Sequence, residues 1–214
     1  MRPIKVGPFS PVTALTTAFN AQTFNSTGAA TAVTTSATSD LLAHKVTLTA
    51  PVQATLAGVT FTIIGTDSDG NAKTEAGLVG PASGATVTST GYFKTITTIQ
   101  PSATMGALVV SVGIAAPSLS PTIPLEWRSI VAAMHDATIT GTINYSVQET
   151  FEGVFDQRAE LNQWDASISA LSAKTASVQS IGSLGACGVR FLTNTVTNGA
   201  TFTWRIVQPT QLSG

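Results

Sequence analysis

Short runs in which apolar and small polar residues alternate recur along most of the chain. They are rich in valine, isoleucine, threonine and aromatic residues, which favour strands, and glycine, proline, serine or aspartate bounds most of them. Regularly spaced short strands are typical of sandwiches and barrels, so the pattern predicts an all-β protein of antiparallel sandwich-like or jelly-roll-like modules. The runs cover residues 45–50, 58–66, 71–80, 85–90, 92–100, 107–114, 127–135, 137–151, 188–196 and 200–208.

The first forty residues depart from this pattern. Residues 1–40 are rich in threonine, serine, alanine and asparagine, and they show no helical period. Their larger apolar side chains, Phe9, Leu15, Phe19 and Phe24, are too sparse to form a core of their own. We therefore predict an extended N-terminal arm that is ordered mainly by contact with other subunits.

Proline divides the remainder of the chain into two modules. The stretch AAPSLSPTIPLE, residues 115–126, carries three prolines in twelve residues, and each proline fixes φ and removes a backbone donor. We predict a β-sandwich module over residues 41–116, an extended proline-rich connector over residues 117–126, and a C-terminal β module over residues 127–214.

Two stretches of the C-terminal module depart from simple alternation. Residues 158–178 are the least β-like segment and fit either one short helix or a long loop. Asn198 and Gly199 stand between the last two alternating runs, and both residue types tolerate positive φ. The Asn-Gly pair therefore predicts a tight hairpin.

Charged residues are scarce, at 10% of the chain with a formal net charge of -1, whereas roughly one residue in six is threonine. Binding to nucleic acid draws most of its affinity from lysine and arginine on phosphates, so no nucleic-acid partner is expected. No stretch approaches the ~20 consecutive apolar residues of a membrane helix. The N-terminal sequence MRPIKVGPFSPV lacks the apolar segment of a secretory signal. We expect a soluble chain with no membrane partner.

The sequence DSDG, residues 67–70, raises the question of a metal site. Asp67 and Asp69 resemble the start of a calcium loop, but the twelfth position counted from Asp67, where such a loop needs a bidentate glutamate, is Leu78. Aspartate and glycine also form tight turns, through side-chain-to-backbone hydrogen bonds and tolerance of left-handed backbone. We therefore predict a hairpin turn with no bound metal ion.

Neither histidine lies in a catalytic or metal-binding motif. His44 and His135 are far apart in sequence with no H-E-x-x-H pattern, and no serine stands in G-x-S-x-G. Cys187 is the single cysteine, so it forms no intrachain disulfide, and we expect it to be a small buried hydrophobe. We predict no catalytic, cofactor-binding or metal-binding residue, and we expect a chain that is not an enzyme.

The densest group of acids lies in the segment QETFEGVFDQRAE. Its members Glu149, Glu152, Asp156 and Glu160 could act as paired carboxylates in glycoside hydrolysis if they lined a cleft. The alternative is a solvated loop at the end of a strand, in which Arg158 partly compensates the negative charge. We favour the solvated loop.

Two regions resemble structural proteins of tailed bacteriophages. Residues 62–102 run from an apolar strand through G-T-D-S-D-G-N-A, T-E and Gly-Pro to V-T-S-T-G-Y-F-K-T-I-T. Residues 143–155, the tryptophan in NQWDA and residues 188–209 are similar to the second half of such virion proteins. The two regions that contain these motifs, residues 62–102 and 143–209, span a little over half of the chain. The pattern marks a β module that is used at several positions in phage particles, and AGLVGPASG departs from it by its irregularity.

The resemblance implies a non-enzymatic component of a virion, assembled in the host cytoplasm, with no catalytic residues to carry over. The predicted role is a capsid cement or decoration protein that forms a homo-oligomer and contacts other virion proteins, above all the major capsid protein. Head-fibre proteins share the pattern, and a tail or neck subunit is the alternative.

A carbohydrate-binding or carbohydrate-cleaving module is the alternative from another functional class. Its working groups would be exposed aromatic side chains, with Trp127, Trp164 and Trp204 as candidates, and the acids of QETFEGVFDQRAE. Trp204 shares one face of an alternating strand with Phe202 and Ile206, so we expect it in the core and not on a binding platform.

Overall fold

The computed structural model describes residues 2–15, 18, 21–24, 31–32, 37–53, 55–105, 108–125, 133–152, 154, 163–164, 171–183 and 185–208. Within these ranges the protein is all-β and its sheets are antiparallel, as predicted. The strands are β1 Arg2–Phe9, β2 Ala21–Phe24, β3 Thr31–Ala32, β4 Ala43–Thr49, β5 Thr60–Thr66, β6 Ala72–Val79, β7 Thr86–Phe93, β8 Thr95–Pro101, β9 Leu108–Leu119, β10 Ile123–Pro124, β11 Met134–Thr140, β12 Ile143–Thr150, β13 Val178–Ile181, β14 Gly188–Val196 and β15 Thr201–Gln208.

The chain forms two compact units. The N-terminal unit is Ala14–Ser118, and the C-terminal unit combines Met1–Thr13 with Leu119–Gly214. The border near residue 118 falls close to the predicted connector. The structure differs from the predicted division at the N-terminus, where the first thirteen residues belong to the unit at the other end of the chain.

The N-terminal unit contains two sets of strands. In one, β4 lies between β7 and β9, and β2 pairs with β9; in the other, the order is β3-β8-β5-β6. The strand TFTIIGT shows the expected alternation, because Phe61 and Ile63 are fully buried while the residues between them are partly exposed. Buried apolar side chains of this unit include Leu42, Val46, Leu48, Phe93, Ile96, Ile99, Val110 and Val112.

One predicted strand is two strands in the structure. The run YFKTITTIQ breaks at Lys94, so that Phe93 ends β7 beside β4 whereas β8 begins at Thr95 beside β5. The Lys94 N–H donates to Thr66 O (2.9 Å) and anchors the change of sheet. The sequence does not reveal the change of sheet at Lys94, because residue types alternate without interruption through the end of β7 and the start of β8.

The arm predicted over residues 1–40 is wrong for Arg2–Phe9. These residues form an edge strand that pairs antiparallel with β15, and Ile4, Val6 and Phe9 pack on the core of the C-terminal unit. The apolar residues are indeed sparse, but they complete a core that β15 supplies. Further along, β2 pairs with β9 and β3 with β8. Phe19 lies outside the described residues.

The proline-rich stretch is paired backbone and not a free connector. Pro117 lies within β9, and β10 pairs with β14 in the register Ile123↔Val189. Buried Ser120 exchanges two hydrogen bonds with Phe191, one from its own N–H to Phe191 O and one from the Phe191 N–H to Ser120 Oγ, both 2.9 Å. Prolines are tolerated here because the neighbouring residues provide the donors that proline lacks.

The core of the C-terminal unit lies between two groups of strands. On one side is a four-stranded sheet in the order β1-β15-β11-β13, here called sheet A, and on the other β12 and β10 pair with β14. Their inward side chains form one apolar cluster, whose members are Leu125, Ala133, Ala137, Ile143, Tyr145, Val147, Leu171, Ala186, Val189, Phe191, Ala200, Phe202, Trp204 and Ile206.

The hairpin predicted at Asn198-Gly199 is wrong. The turn is present, with the Ala200 N–H donating to Thr197 O (3.1 Å) and Gly199 at a φ of 78°, but β14 and β15 belong to different groups of strands. Phe191 of β14 and Phe202 of β15 stack with ring centroids 3.7 Å apart. Filling the core in this way requires the chain to arch from one side of the core to the other, and alternation is the same for either connection.

Candidate functional site

The residues DSDG form a turn between β5 and β6, which pair antiparallel. Asp67 is almost fully buried, and its Oδ1 accepts the backbone N–H groups of Asp69 and Asn71, both at 2.9 Å. The Gly70 N–H donates to Asp67 O (3.2 Å), and Gly70 takes a positive φ of 88°. The predicted turn is therefore confirmed, including its side-chain-to-backbone bonds.

Glu75 joins β6 to β7 in the same unit. Its Oε1 accepts the Thr90 N–H and its Oε2 accepts the Gly91 N–H, both at 2.8 Å, and the Thr90 hydroxyl adds a third bond of 3.0 Å. A carboxylate that receives several donors is a strong acceptor. This acid closes a gap between two strands that are not neighbours in a sheet.

His44 and Asp40 form a buried pair with both partners fully enclosed. His44 Nε2 lies 2.9 Å from Asp40 Oδ2, and His44 Nδ1 lies 3.0 Å from Ala115 O. Asp40 Oδ1 also accepts the Leu42 N–H (3.1 Å). Each histidine nitrogen therefore has a partner inside the fold, which is the arrangement of a structural histidine.

The second histidine occupies a different kind of environment. His135 of β11 and Glu149 of β12 come from opposite sides of the C-terminal core, both side chains are fully buried, and Nε2 lies 3.4 Å from Oε1. The Ser183 N–H donates to both carboxylate oxygens, at 3.2 and 3.0 Å. The ring of His135 stacks on Trp204 with centroids 5.6 Å apart.

Three polar atoms of this cluster lack a hydrogen-bond partner among the described residues: His135 Nδ1, His135 Nε2 and Trp204 Nε1. The histidine thus lies within ion-pair distance of Glu149 without a hydrogen bond to it. Gly182 closes the cluster, since a side-chain carbon there would collide with Glu149 Oε1 and with His135 Nε2. The cluster is a fully enclosed polar contact between the two sides of the core.

The favoured interpretation of QETFEGVFDQRAE as a solvated loop is wrong for Glu149. This residue lies in β12 and shares the inward face of that strand with Ile143, Tyr145 and Val147. The alternation with a period of two in INYSVQE indicates that Glu149 points inward, although an acidic residue is usually exposed. Glu152 is half-buried and accepts the Gln163 N–H (2.9 Å). The segment 155–162, which holds the other acids and Arg158, lies outside the described residues.

Tyr145 is a buried titrating group of the C-terminal core. Its ring is fully buried against Phe202, with centroids 5.2 Å apart, and its hydroxyl donates to Ala176 O (3.0 Å). Removal from water disfavours the phenolate, and burial raises the pKa of Tyr145 to about 12.

The three tryptophans differ in their positions. Trp204 is fully buried, as predicted, and so is unavailable as a binding platform. Trp164 is half-buried, and the guanidinium of Arg190 lies over its ring at 4.0 Å from the centroid while Arg190 Nε donates to Gln148 Oε1 (2.8 Å). Trp127 lies outside the described residues. Cys187 is half-buried, with Sγ 3.4 Å from Phe151 O, so it is less enclosed than predicted.

The outer face of sheet A carries two cross-strand rows of contrasting chemistry. One, here called the apolar row, is Pro3, Val207, Met134 and Ile181, and the next, the charged row, is Lys5, Arg205, Asp136 and Gln179. Met134 is 52% exposed and Ile181 66% exposed. Threonines at 138, 140, 201 and 203 continue the same face.

Comparison of the chain with protein families, curated proteins and solved structures gave no match. In the part of the chain that the structure describes, no three His, Cys, Asp or Glu side chains are grouped so that they could hold a metal ion. The same residues include no helix of the length and apolarity needed to span a membrane.

Proposed function

We propose that this chain is a non-enzymatic structural subunit of a tailed-bacteriophage particle, in the role of a capsid cement or decoration protein. The observation that carries the proposal is that three acids and one histidine of the N-terminal unit form hydrogen bonds within the fold. Asp67 and Glu75 accept backbone N–H groups, and the Asp40–His44 pair bonds to backbone groups at both ends. Polar chemistry that stabilises the chain's own strands suits a building block.

The low content of charged residues in the chain supports the same role. Interface cores are depleted of charged residues because each charge must lose its water on association. With 10% charged residues, this chain can bury large areas at low desolvation cost. Exposed apolar side chains supply contact area in both units: Leu41, Val52, Val79 and Val109 in one, Met134, Phe151 and Ile181 in the other. The proposed partners are the major capsid protein and further copies of the chain.

A particle proteome tests the proposal. Particles sedimented from cultures of the organism that encodes the chain are analysed by mass spectrometry, and antibodies against the chain are used to label them for electron microscopy. We expect peptides of the chain at high copy number and label over the capsid surface. Label confined to the tail or neck would favour the alternative position in the particle, and absence from purified particles would overturn the proposal.

A carbohydrate-binding module is the second candidate, and Trp164 is the observation that favours it. Its ring is half-buried and stacks with Arg190, an arrangement of aromatic and polar side chains that can bind a sugar ring. A glycan array separates the two candidates. Specific binding that is lost in Trp164→Ala would favour this second function, whereas a structural subunit shows no specific glycan signal.

A further inference from the structure

We propose that the outer face of sheet A binds the same face of a second copy of this chain, about a two-fold axis parallel to the strands. Every strand of this sheet belongs to the C-terminal unit. The inference rests on the chemistry of this face alone, so it holds whether or not the protein belongs to a virion.

The face is defined by the register of the strands. Ile4, Phe202, Trp204 and Ile206 point into the core, so the residues between them on β1 and β15 point outward. Residues directly opposite each other in antiparallel strands share a face. The pairings Val207↔Met134 and Arg205↔Asp136, with their neighbours on the edge strands, therefore place the apolar and charged rows side by side on the outside.

The apolar row is an unusual outward feature. Met134 lies on β11, which has neighbours on both sides, and it is paired with Ile181 and with Val207. More than half of the Met134 and Ile181 side chains is exposed to water. The remaining outward positions of β11 and β15 are threonines and the two oppositely charged members of the charged row, so the sheet carries one contiguous apolar row and not scattered single residues.

The charged row selects the symmetry of the partner. A two-fold axis parallel to the strands keeps each row at its own height and reverses the strand order, so that β15 faces β11 of the second copy. Arg205 then faces Asp136 of the second copy, and Asp136 faces Arg205 of the second copy. Lys5 faces a neutral residue, Gln179, and no like charges are opposed. The apolar row meets itself, with Met134 on Val207.

The other two-fold packing of this face is not complementary. An axis perpendicular to the strands would keep the strand order and reverse the heights. At the middle of β11 it would set Met134 on Thr140, and at the level of the charged row it would set Asp136 on Asp136. At the level of the apolar row it would set that row on itself but leave the charged row opposite positions that precede β11. An isologous contact must be complementary to itself. Only the axis parallel to the strands satisfies this condition for both rows, within the angle of about 30° at which aligned sheets pack.

Charge reversal in separate chains tests the contact. Asp136→Arg gives a row in which cations face cations, and Arg205→Asp gives one in which anions face anions, so each variant alone is expected to dimerise at least about tenfold more weakly than the wild type. An equimolar mixture of the two variants places opposite charges together again. We expect the mixture to recover dimers, and native mass spectrometry to identify them as mixed dimers.

Mixing separates the contact between chains from effects within a chain. Within each chain, the variant loses the opposite charges at residues 136 and 205 whether it is alone or mixed. Recovery of dimers on mixing therefore reports contacts between chains. Asp69→Arg reverses an exposed charge outside this face and is the control that leaves dimerisation unchanged. Met134→Thr, which matches the neighbouring threonines at a position that is 52% exposed, is expected to weaken the dimer while the β-type circular dichroism spectrum is retained.

Sedimentation velocity of the wild type and the variants is the deciding measurement. A wild-type chain that stays monomeric at high micromolar concentration would overturn the inference. So would a dimer that persists in both charge variants, or variants that remain monomeric when mixed. Binding to particles is a separate measurement, so failure of the dimer and failure of the proposed virion role are distinguishable.

Discussion

His135 and Glu149 meet across the core of the C-terminal unit, with Nε2 3.4 Å from Oε1 and both side chains fully buried. The two residues come from strands on opposite sides of that core, so the contact ties the two sides together. A buried ionisable pair is not by itself a source of stability, because the cost of removing it from water offsets its attraction. Loss of one partner is the sensitive event.

We expect His135→Leu to destabilise the C-terminal unit by about 3 kcal/mol, since Glu149 then remains a buried acid whose donor among the described residues is the Ser183 N–H. His135→Leu combined with Glu149→Leu is expected to recover much of that loss. Urea unfolding of wild type, both single variants and the double variant gives the coupling free energy. Additive single effects would show that the two side chains do not interact.

Gly182 has no room for a side chain. Gly182→Ala is expected to cost roughly 1–3 kcal/mol, because the added methyl group collides with Glu149 and His135 and forces the pair apart. Gly58→Ala is the matched control, since a side-chain carbon at Gly58 meets nothing within 4 Å. Thermal unfolding of both variants is the measurement, and equal shifts in Tm would contradict the prediction.

The Glu75 carboxylate on β6 is expected to contribute to the stability of the N-terminal unit. Glu75→Ala leaves the Thr90 and Gly91 N–H groups without their acceptor and should cost about 1–3 kcal/mol. Thr74→Ala, an exposed change on the same strand, serves as the control and should lie within about 0.5 kcal/mol of wild type. Faster hydrogen exchange at Thr90 and Gly91 in the Glu75 variant alone would locate the effect.

Tyr145 makes stability depend on pH in the alkaline range. Its pKa is about 12 in the fold and 10.0 as the ordinary value, so the unfolded chain loses this proton first as the pH rises. The stabilisation is complete below pH ~10 and is lost between pH ~10 and ~12, by up to roughly 3 kcal/mol. Tyr145→Phe should lack this fall. The difference between the two proteins in urea unfolding at pH 9, 10 and 11 isolates it from other titrating groups.

Asp67 is expected to act through the turn and not through a metal ion. Asp67→Ala removes the acceptor for the Asp69 and Asn71 N–H groups and should destabilise the N-terminal unit by about 1–2 kcal/mol, whereas Asp67→Asn retains an acceptor oxygen and should cost less. Calorimetric titration with calcium should show no binding heat. A micromolar transition that disappears in Asp67→Ala would contradict this prediction.

Much of the local structure was predictable from residue order. The fold class, most strand positions, the DSDG turn and the burial of Trp204 all follow from alternation and turn chemistry, which depend on residues close together in the chain. The burial of Glu149 was predictable in the same way from its position in the alternating run INYSVQE, although acidic residues are usually exposed. Local patterns report whether a residue points inward, because the side-chain period of a strand is two.

The pairing of strands was decided only by the tertiary structure. Gly199 lies in a turn whether or not the strands on either side of it pair with each other. Because Phe191 packs on Phe202 across the core, the turn connects two groups of strands and is not a hairpin. Arg2–Phe9 forms a strand because it pairs with the edge of β15 and packs on the core of the C-terminal unit. The meeting of His135 with Glu149 depends likewise on which strands face each other. A strand's alternation is compatible with many neighbours, and the choice among them is made by filling one shared core with residues distant in the chain.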